Sequence, residues 1–261
     1  RDLFYTARFE ITDERLVRDV FNAFHPDLVI HCAGESRVDH AEKNPRDAWR
    51  LNVHGTENIL KAADNWESHV VYISTNAVYD GTEAPYSETD YCHPVNVYGK
   101  TKLEAERLTL CYPHRATIIR PIFLYGWVNE GKRKNMDARV IDALKKGEHM
   151  KVCADIFTQP TYAGDCAKAI WEIVEKQTTP KEIFNVAARN KMSLFKFATE
   201  VAKVFGLDGS LLHQAKMDEF FNYAPRPKDT AFNLDKLTGN GIVLRDALAG
   251  LHAMKEERLE A

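Results

Sequence analysis

Apolar residues at Leu16, Val17, Val20, Phe21 and Phe24 recur on one face at helical spacing, which predicts an amphipathic helix over 13–24. Thr12 is the expected N-cap, Asp13 and Glu14 suit the positive end of the dipole, and His25-Pro26 stops the helix. The period then changes. Asp27-Leu28-Val29-Ile30-His31-Cys32-Ala33 is short and nearly continuously apolar, the pattern of a strand buried on both faces. After a polar stretch, a helix is expected through Asn52-Val53-His54-Gly55-Thr56 to about Ala63, then a strand over 70–74, a helix over 98–110 and a strand over 116–120. Strand and helix alternating at this spacing predict parallel βαβ units with right-handed crossovers. Beyond Pro121 the rhythm loosens, with helices expected near 136–146, 164–176 and 193–206 and strands near 149–153 and 182–187. The second half therefore reads as a smaller lobe around and after the last strands of the sheet.

In open sheets of this kind, ligands bind beyond the carboxyl ends of the strands, so Ala33-Gly34, Ser74-Thr75 and Arg120-Pro121 mark one rim. Composition narrows the field. With 35 basic against 38 acidic residues and no long run of one sign, the chain carries neither a nucleic-acid footprint nor a basic tail for anionic lipid. No stretch approaches 18 consecutive apolar residues, so no membrane span is expected. The five cysteines are widely spaced without a Cys-x-x-Cys pair and read as reduced thiols of a cytoplasmic protein. No metal site is expected, because no histidine pair sits in a ligand pattern; His31 and His54 read as packed or solvated side chains.

The sharpest chemical feature is Tyr98-Gly99-Lys100-Thr101-Lys102 at a helix start. One turn separates Tyr98 from Lys102, so both lie on one face. A phenol is a poor acid–base catalyst at neutral pH, and a neighbouring ammonium favours its ionised form. Thr75, which follows the strand ending at Ser74 on the expected rim, offers a hydroxyl that can polarise a substrate carbonyl.

This combination resembles the Ser/Thr-Tyr-Lys triad of short-chain dehydrogenases/reductases of the extended type. Within them, Ser36-Arg37-Val38-Asp39-His40-Ala41-Glu42, Ser74-Thr75-Asn76-Ala77-Val78-Tyr79-Asp80-Gly81, Pro94-x-Asn96-x-Tyr98-Gly99-x-Thr101-Lys102, Gln159-Pro160-Thr161 and Arg226-Pro227-Lys228-Asp229 are similar to segments of the dTDP-4-dehydrorhamnose reductase family. The resemblance implies an α/β, Rossmann-like doubly wound parallel sheet with a smaller C-terminal substrate lobe. The dinucleotide part would comprise 1–125 with 163–187 returning to it, and the lobe 126–162 and 188–261. It implies NADP or NAD as cofactor, held by Glu10, Ile11, Ala33, Gly34, Asn52, Ser74, Tyr98, Lys102, Pro121 and Ile122. Ser36, Val38, Asn76, Phe123, Gln159 and Arg226 would face a nucleotide-sugar substrate, Arg226 taking its diphosphate. A homodimer is the assembly in view.

Three departures qualify the resemblance. Asn76-Ala77 stands where the reductases carry Asp-Tyr, and Phe123 where extended-type epimerases usually have Asn. The Gly-x-x-Gly-x-x-Gly turn that cradles the cofactor pyrophosphate cannot be placed, since Gly34 is the only glycine before Gly55. Residues 7–13 already match the family's third-strand end and the helix start after it. The first strand, helix and second strand are thus expected to precede Arg1, leaving an open edge along 28–32.

The function these residues imply is reduction of a nucleotide-diphosphate 4-keto sugar. Tyr98 would give the proton, Lys102 would hold the ribose and lower the phenol's pKa, and Thr75 would bind the carbonyl oxygen. An epimerase or dehydratase of the same fold is the alternative within enzymes. Outside them stands a regulatory subunit like the beta subunit of methionine adenosyltransferase, which resembles these reductases.

Overall fold

The computed structural model describes residues 9–129, 131, 133–177, 179–220 and 223–260, so residues 7 and 8 of the segment compared with a third strand lie outside it. The elements in chain order are α1 (Glu14–Phe24), β1 (Leu28–His31), α2 (Val38–Lys43), α3 (Pro45–Trp49), α4 (Gly55–Asp64), β2 (His69–Ile73), α5 (Val97–Cys111) and β3 (Ala116–Pro121). There follow β4 (Leu124–Tyr125), α6 (Met136–Lys145), β5 (Met150–Cys153), β6 (Phe157–Thr158), β7 (Thr161–Tyr162), α7 (Ala163–Lys176) and β8 (Lys181–Val186). The chain closes with β9 (Met192–Ser193), α8 (Leu194–Phe205), β10 (Leu212–Ala215), α9 (Asp235–Gly239) and α10 (Ala247–Glu260).

Four parallel strands in the order β1-β2-β3-β8 make the central sheet. Its two faces are covered separately, as a doubly wound sheet requires. On one face Val17 and Phe21 of α1 pack with Ile59, Leu60 and Ala63 of α4 over Val70 and Ala116. On the other, Cys166, Ala169 and Ile173 of α7 and Leu237 of α9 lie against Val71, Ile119 and Phe184. A further core joins α6, α8 and α10 through Tyr125, Val140, Ile141, Phe197, Val201, Leu251 and Met254, with β5 and β10 paired in parallel beside it. Among the described residues, no helix is long and apolar enough to cross a membrane.

Three expectations need correction. Asp13, not Thr12, caps α1: its carboxylate accepts from the Leu16 N–H at 3.1 Å. The Thr12 hydroxyl instead donates to Glu10 at 3.2 Å and accepts from Arg50 at 2.7 Å. Strand β1 is less buried than its apolar run predicts: Leu28 and Val29 are half-buried and Ile30 is 42% exposed. Among the described residues only β2 pairs with it, so it lies at an edge of the sheet, as the open edge expected along 28–32 requires. Finally, the polar stretch before Asn52 is largely helical, because α2 and α3 need bury only a single alanine each, Ala41 and Ala48. A π-helical turn, Arg50–His54, then leads into α4.

Candidate active site

Strand β2 ends at Ile73, and Ser74-Thr75 leave it at the carboxyl rim. Thr75 is extended, and its hydroxyl accepts from the Ala77 N–H at 3.2 Å, capping the short 3-10 turn Asn76–Val78. Helix α5 starts beside that turn. Its N-cap, Asn96, accepts from the Gly99 N–H at 2.9 Å and donates to the Pro225 carbonyl at 2.9 Å. Gly99 is required here, because a Cβ would collide with the Ala77 carbonyl oxygen. Residue type and packing together place Tyr98, in the first turn of α5, against Thr75.

The Tyr98 phenol is raised above its ordinary pKa by burial, partly offset by its interaction with the Thr75 hydroxyl and increased by the Glu35 charge. Lys102, one turn on, is buried; its ammonium donates to the Ile73 carbonyl at 2.6 Å and lies 4.2 Å from the Tyr72 ring centre. Burial lowers it to about 7, against the charges of Glu106 and Cys32. The expectation that Lys102 pulls the Tyr98 pKa down is therefore corrected. Its ammonium is committed to β2, and burial of the phenol dominates.

Beneath the rim lies a polar network the sequence did not disclose. Glu106 and Arg120, both almost wholly buried, pair at 2.6 and 2.9 Å, and the Ser74 hydroxyl also donates to Glu106. Arg120 reaches the Tyr79 hydroxyl at 2.6 Å. Ser74, expected at the cofactor, thus spends its side chain on this network.

Asn52 is likewise held inside. Its amide oxygen accepts from the Glu35 N–H at 2.6 Å, and its nitrogen donates to the Glu35 carbonyl at 3.1 Å and to Thr101 at 2.9 Å. Gly34 is needed beside it, since a Cβ there would come within 2.8 Å of the Asn52 oxygen.

Of the other expected residues, Ala33, Gly34 and Ser36 are exposed in the loop after β1, and Val38 is half-buried at the start of α2. Glu10 is exposed, whereas Ile11 is turned into the core between α1 and α4. Pro121 and Ile122 are buried. Phe123 takes a left-handed backbone (φ 40°) and sets its ring edge-on to Phe197 at 5.5 Å, so its side chain joins two cores. Asn76 donates to Thr230 at 2.5 Å. Gln159 uses both ends of its amide on the Phe232 backbone, at 2.7 and 3.3 Å. Arg226 pairs with Asp39 at 3.0 Å and donates to the Ala224 carbonyl at 2.9 Å. Asn76 and Arg226 thus join the C-terminal segment 224–230 to the segments after β2 and β1, while Gln159 binds the segment around Phe232. The residue sequence reasoning missed is Glu35, buried beside the exposed loop; the signal was an acid–base pair, Glu35-x-Arg37, immediately after an apolar strand.

For a dinucleotide, the residues present fit one half of the molecule. Exposed Ala33–Gly34 backbone at the end of β1 and the ammonium of Lys102 suit a nicotinamide ribose, and a glycine-rich turn for the pyrophosphate is not among the described residues.

A doubly wound parallel sheet carrying Thr75, Tyr98 and Lys102 on its carboxyl rim defines a short-chain dehydrogenase/reductase of the extended type. More narrowly, residues 4–258 match the family described as RmlD substrate binding domain, and the chain belongs to that family. It is 32% identical over 244 residues to methionine adenosyltransferase 2 subunit beta of Xenopus laevis, covering 90% of this chain and 72% of that one. To the dTDP-4-dehydrorhamnose reductase of Aggregatibacter actinomycetemcomitans it is 29% identical over 241 residues, 88% of this chain and 81% of the relative. Its fold superposes on a Bacillus anthracis dTDP-4-dehydrorhamnose reductase in complex with NADP with a TM-score of 0.89 at 27% identity, over 95% of this chain and 87% of that one.

Proposed function

We propose that this chain is an NADP- or NAD-dependent oxidoreductase that reduces a nucleotide-diphosphate 4-keto sugar, the reaction type named in its reductase relatives. The observation that carries this reading is the meeting of Thr75 and Tyr98 at the end of β2, with Lys102 anchored on the same strand. When bound, the cofactor supplies hydride. Tyr98 stays protonated at neutral pH because burial disfavours the phenolate, so it can give its proton to the forming hydroxyl. Thr75, whose hydroxyl accepts from the Ala77 N–H at 3.2 Å and donates to the Asn76 amide oxygen at a long 3.3 Å, can turn that donor to the substrate carbonyl and hold it facing Tyr98. Lys102 would grip the ribose, and Ala33–Gly34 would pass the cofactor backbone to backbone.

Tyr98→Phe removes only the hydroxyl. Turnover is expected to fall about 10²–10⁴-fold while cofactor binding persists. Near-normal turnover of the variant with a 4-keto nucleotide sugar would end the reading. Product analysis separates reduction from epimerase or dehydratase chemistry, which returns the hydride and consumes no reduced cofactor.

A second reading has its own support, since relatives at 30–33% identity are named methionine adenosyltransferase 2 subunit beta. A regulatory subunit would copurify in stoichiometric amount with a partner enzyme and change its rate, and Tyr98→Phe would leave that effect intact. With either role we place the chain in the cytoplasm, in keeping with thiols that are all unpaired among the described residues, and as a homodimer, to be checked by sedimentation. The division into a dinucleotide part, 1–125 with 163–187, and a substrate lobe, 126–162 and 188–261, is supported by the separate core that α6, α8 and α10 share around Phe197.

A further inference from the structure

Lys102 is a buried cation, and among the described residues no carboxylate pairs with it. Glu106, one turn further along α5, gives its carboxylate to Arg120 and to the Ser74 hydroxyl. The Lys102 ammonium instead donates to the Ile73 carbonyl at 2.6 Å and stands over the face of the Tyr72 ring, 4.2 Å from its centre.

Strand geometry explains why that ring is there. Side chains alternate across β2: Val71 and Ile73 join the core under α7, while Val70 and Tyr72 face the side of α4 and α5. Tyr72 is 1% exposed, with Ala105 of α5 and Ile118 of β3 packed around it, so the ring is held beneath Lys102. Its hydroxyl has no hydrogen-bond partner among the described protein groups. Thr56, which faces it, donates to the Asn52 carbonyl at 2.7 Å and is bound to His31 at 3.0 Å. What Tyr72 offers Lys102 is therefore the face of its ring. Such a face carries the negative part of the aromatic quadrupole and attracts a cation within about 6 Å, more strongly where water is excluded.

We propose that Tyr72 is a positioning residue of this site: its ring takes the place of a counter-ion, keeping the Lys102 ammonium charged and seated at the end of β2, where it can meet the ribose of a nicotinamide cofactor. This deepens the reductase reading and rests on it for the cofactor. A carboxylate partner would compete with a ribose hydroxyl for the ammonium; a ring face stabilises the charge more gently and leaves donors for the ligand. The other groups facing Lys102 fit this assignment. His31 on β1, its ring 5.6 Å from that of Tyr72, is lowered to about 4 by burial and by Lys102, so at neutral pH it is uncharged and does not repel the ammonium. Burial raises the Cys32 thiol just beyond β1 and the Tyr98 phenol one turn back on α5, which keeps both protonated. Burial also raises the Tyr72 phenol well above its ordinary value. Lys102 itself is lowered by burial to about 7, so a neighbour that favours the cation sets how much of it is charged near neutrality.

The test follows Lys102 directly, by NMR titration of the full chain carrying isotope-labelled lysine, its resonance assigned by its absence from Lys102→Met. Tyr72→Phe keeps the ring and should leave the Lys102 titration in place. Phenylalanines bearing one, two and three fluorines at position 72 weaken the ring face at nearly constant shape, and should lower the titration stepwise. Tyr72→Leu removes the face and should lower it by about one pH unit. Affinity for reduced cofactor near neutral pH should then fall several-fold in Tyr72→Leu and in the trifluorinated protein. The fluorinated series decides the matter if the leucine variant does not fold. A Lys102 titration unmoved along that series would mean that the Ile73 carbonyl alone holds the ammonium, and the proposal would be wrong. A wild-type cofactor affinity that ignores pH through neutrality would instead sink the cofactor reading of Lys102, with the NMR titration still judging Tyr72.

Discussion

Arg120→Met tests the buried network under the rim most directly. Arg120 makes two hydrogen bonds to Glu106, at 2.6 and 2.9 Å, one to the Tyr79 hydroxyl at 2.6 Å and one to the Glu88 carbonyl at 3.3 Å, with the Arg120 and Glu106 side chains only 2–3% exposed. Methionine fills much of the volume but leaves the Glu106 carboxylate buried with the Ser74 hydroxyl as its remaining close donor. Removing one partner of such a pair costs about 3–5 kcal/mol. Against a typical ~5–15 kcal/mol of stability, that is a large part of the total. Urea titration followed by far-UV circular dichroism should show the midpoint falling at an unchanged slope. The double variant Glu106→Leu/Arg120→Met should recover most of the loss, because no uncompensated charge remains. A single-variant loss under ~1 kcal/mol, or a double variant as unstable as the single, would refute the reasoning. Ser74 and Thr75 are adjacent, so the single variant should also lose activity, and the double variant should regain stability before it regains rate.

Gly99→Ala, which in an ordinary exposed helix would stabilise, should here destabilise by about 1–3 kcal/mol, because the added methyl falls on the Ala77 carbonyl; thermal melts give the sign. Asp137 is fully buried, accepts from the Gly126 N–H at 3.1 Å, and is raised by burial from 3.8 to about 6. Between those two values the folded state binds more protons than the unfolded one, so stability falls as pH rises through the window, by about 3 kcal/mol; Asp137→Asn should flatten that slope in melts taken from pH 4 to 7. Since Lys102 is lowered to about 7, the affinity of the free protein for reduced cofactor should weaken as pH rises through neutrality, and Lys102→Met should bind weakly at every pH when titrated by fluorescence.

Much of this was legible in the chain. Periodicity marked α1, α5, α7 and α8 within a residue or two, and short apolar runs marked β2, β3 and β8, because those elements bury one stripe or two faces against a sheet. Tyr98, Lys102 and Thr75 were readable because their spacing is enforced by one helical turn and one strand end. What sequence could not show is where polar side chains spend their hydrogen bonds. Ser74, Asn52, Gln159 and Arg226 look like ligand contacts by type and position, yet each is engaged with Glu106, Glu35, Phe232 or Asp39, partners 32, 17, 73 and 187 residues away. Such pairings are set by tertiary contact and leave no periodic trace. Short helices fail for a related reason: α2 and α3 bury one alanine each, too little to print a stripe.

The π-helical turn at Arg50–His54 has a consequence for how this chain can vary. Successive helical residues are rotated by about 100°. Residues before the turn and those after it are therefore phased by its extra residue, with Asn52 and Val53 pointing inward and Ile59, Leu60 and Ala63 seated on the sheet. Deleting one residue from 50–54 would restore regular α geometry and swing one half out of phase. Either Asn52 would leave Glu35 and Thr101, or α4 would lift its apolar face off β2. Replacement of side chains in this stretch is a matter of degree, whereas its length is all-or-none. Among chains of this family, gaps should accumulate in the loop 80–93 and be excluded from 45–64.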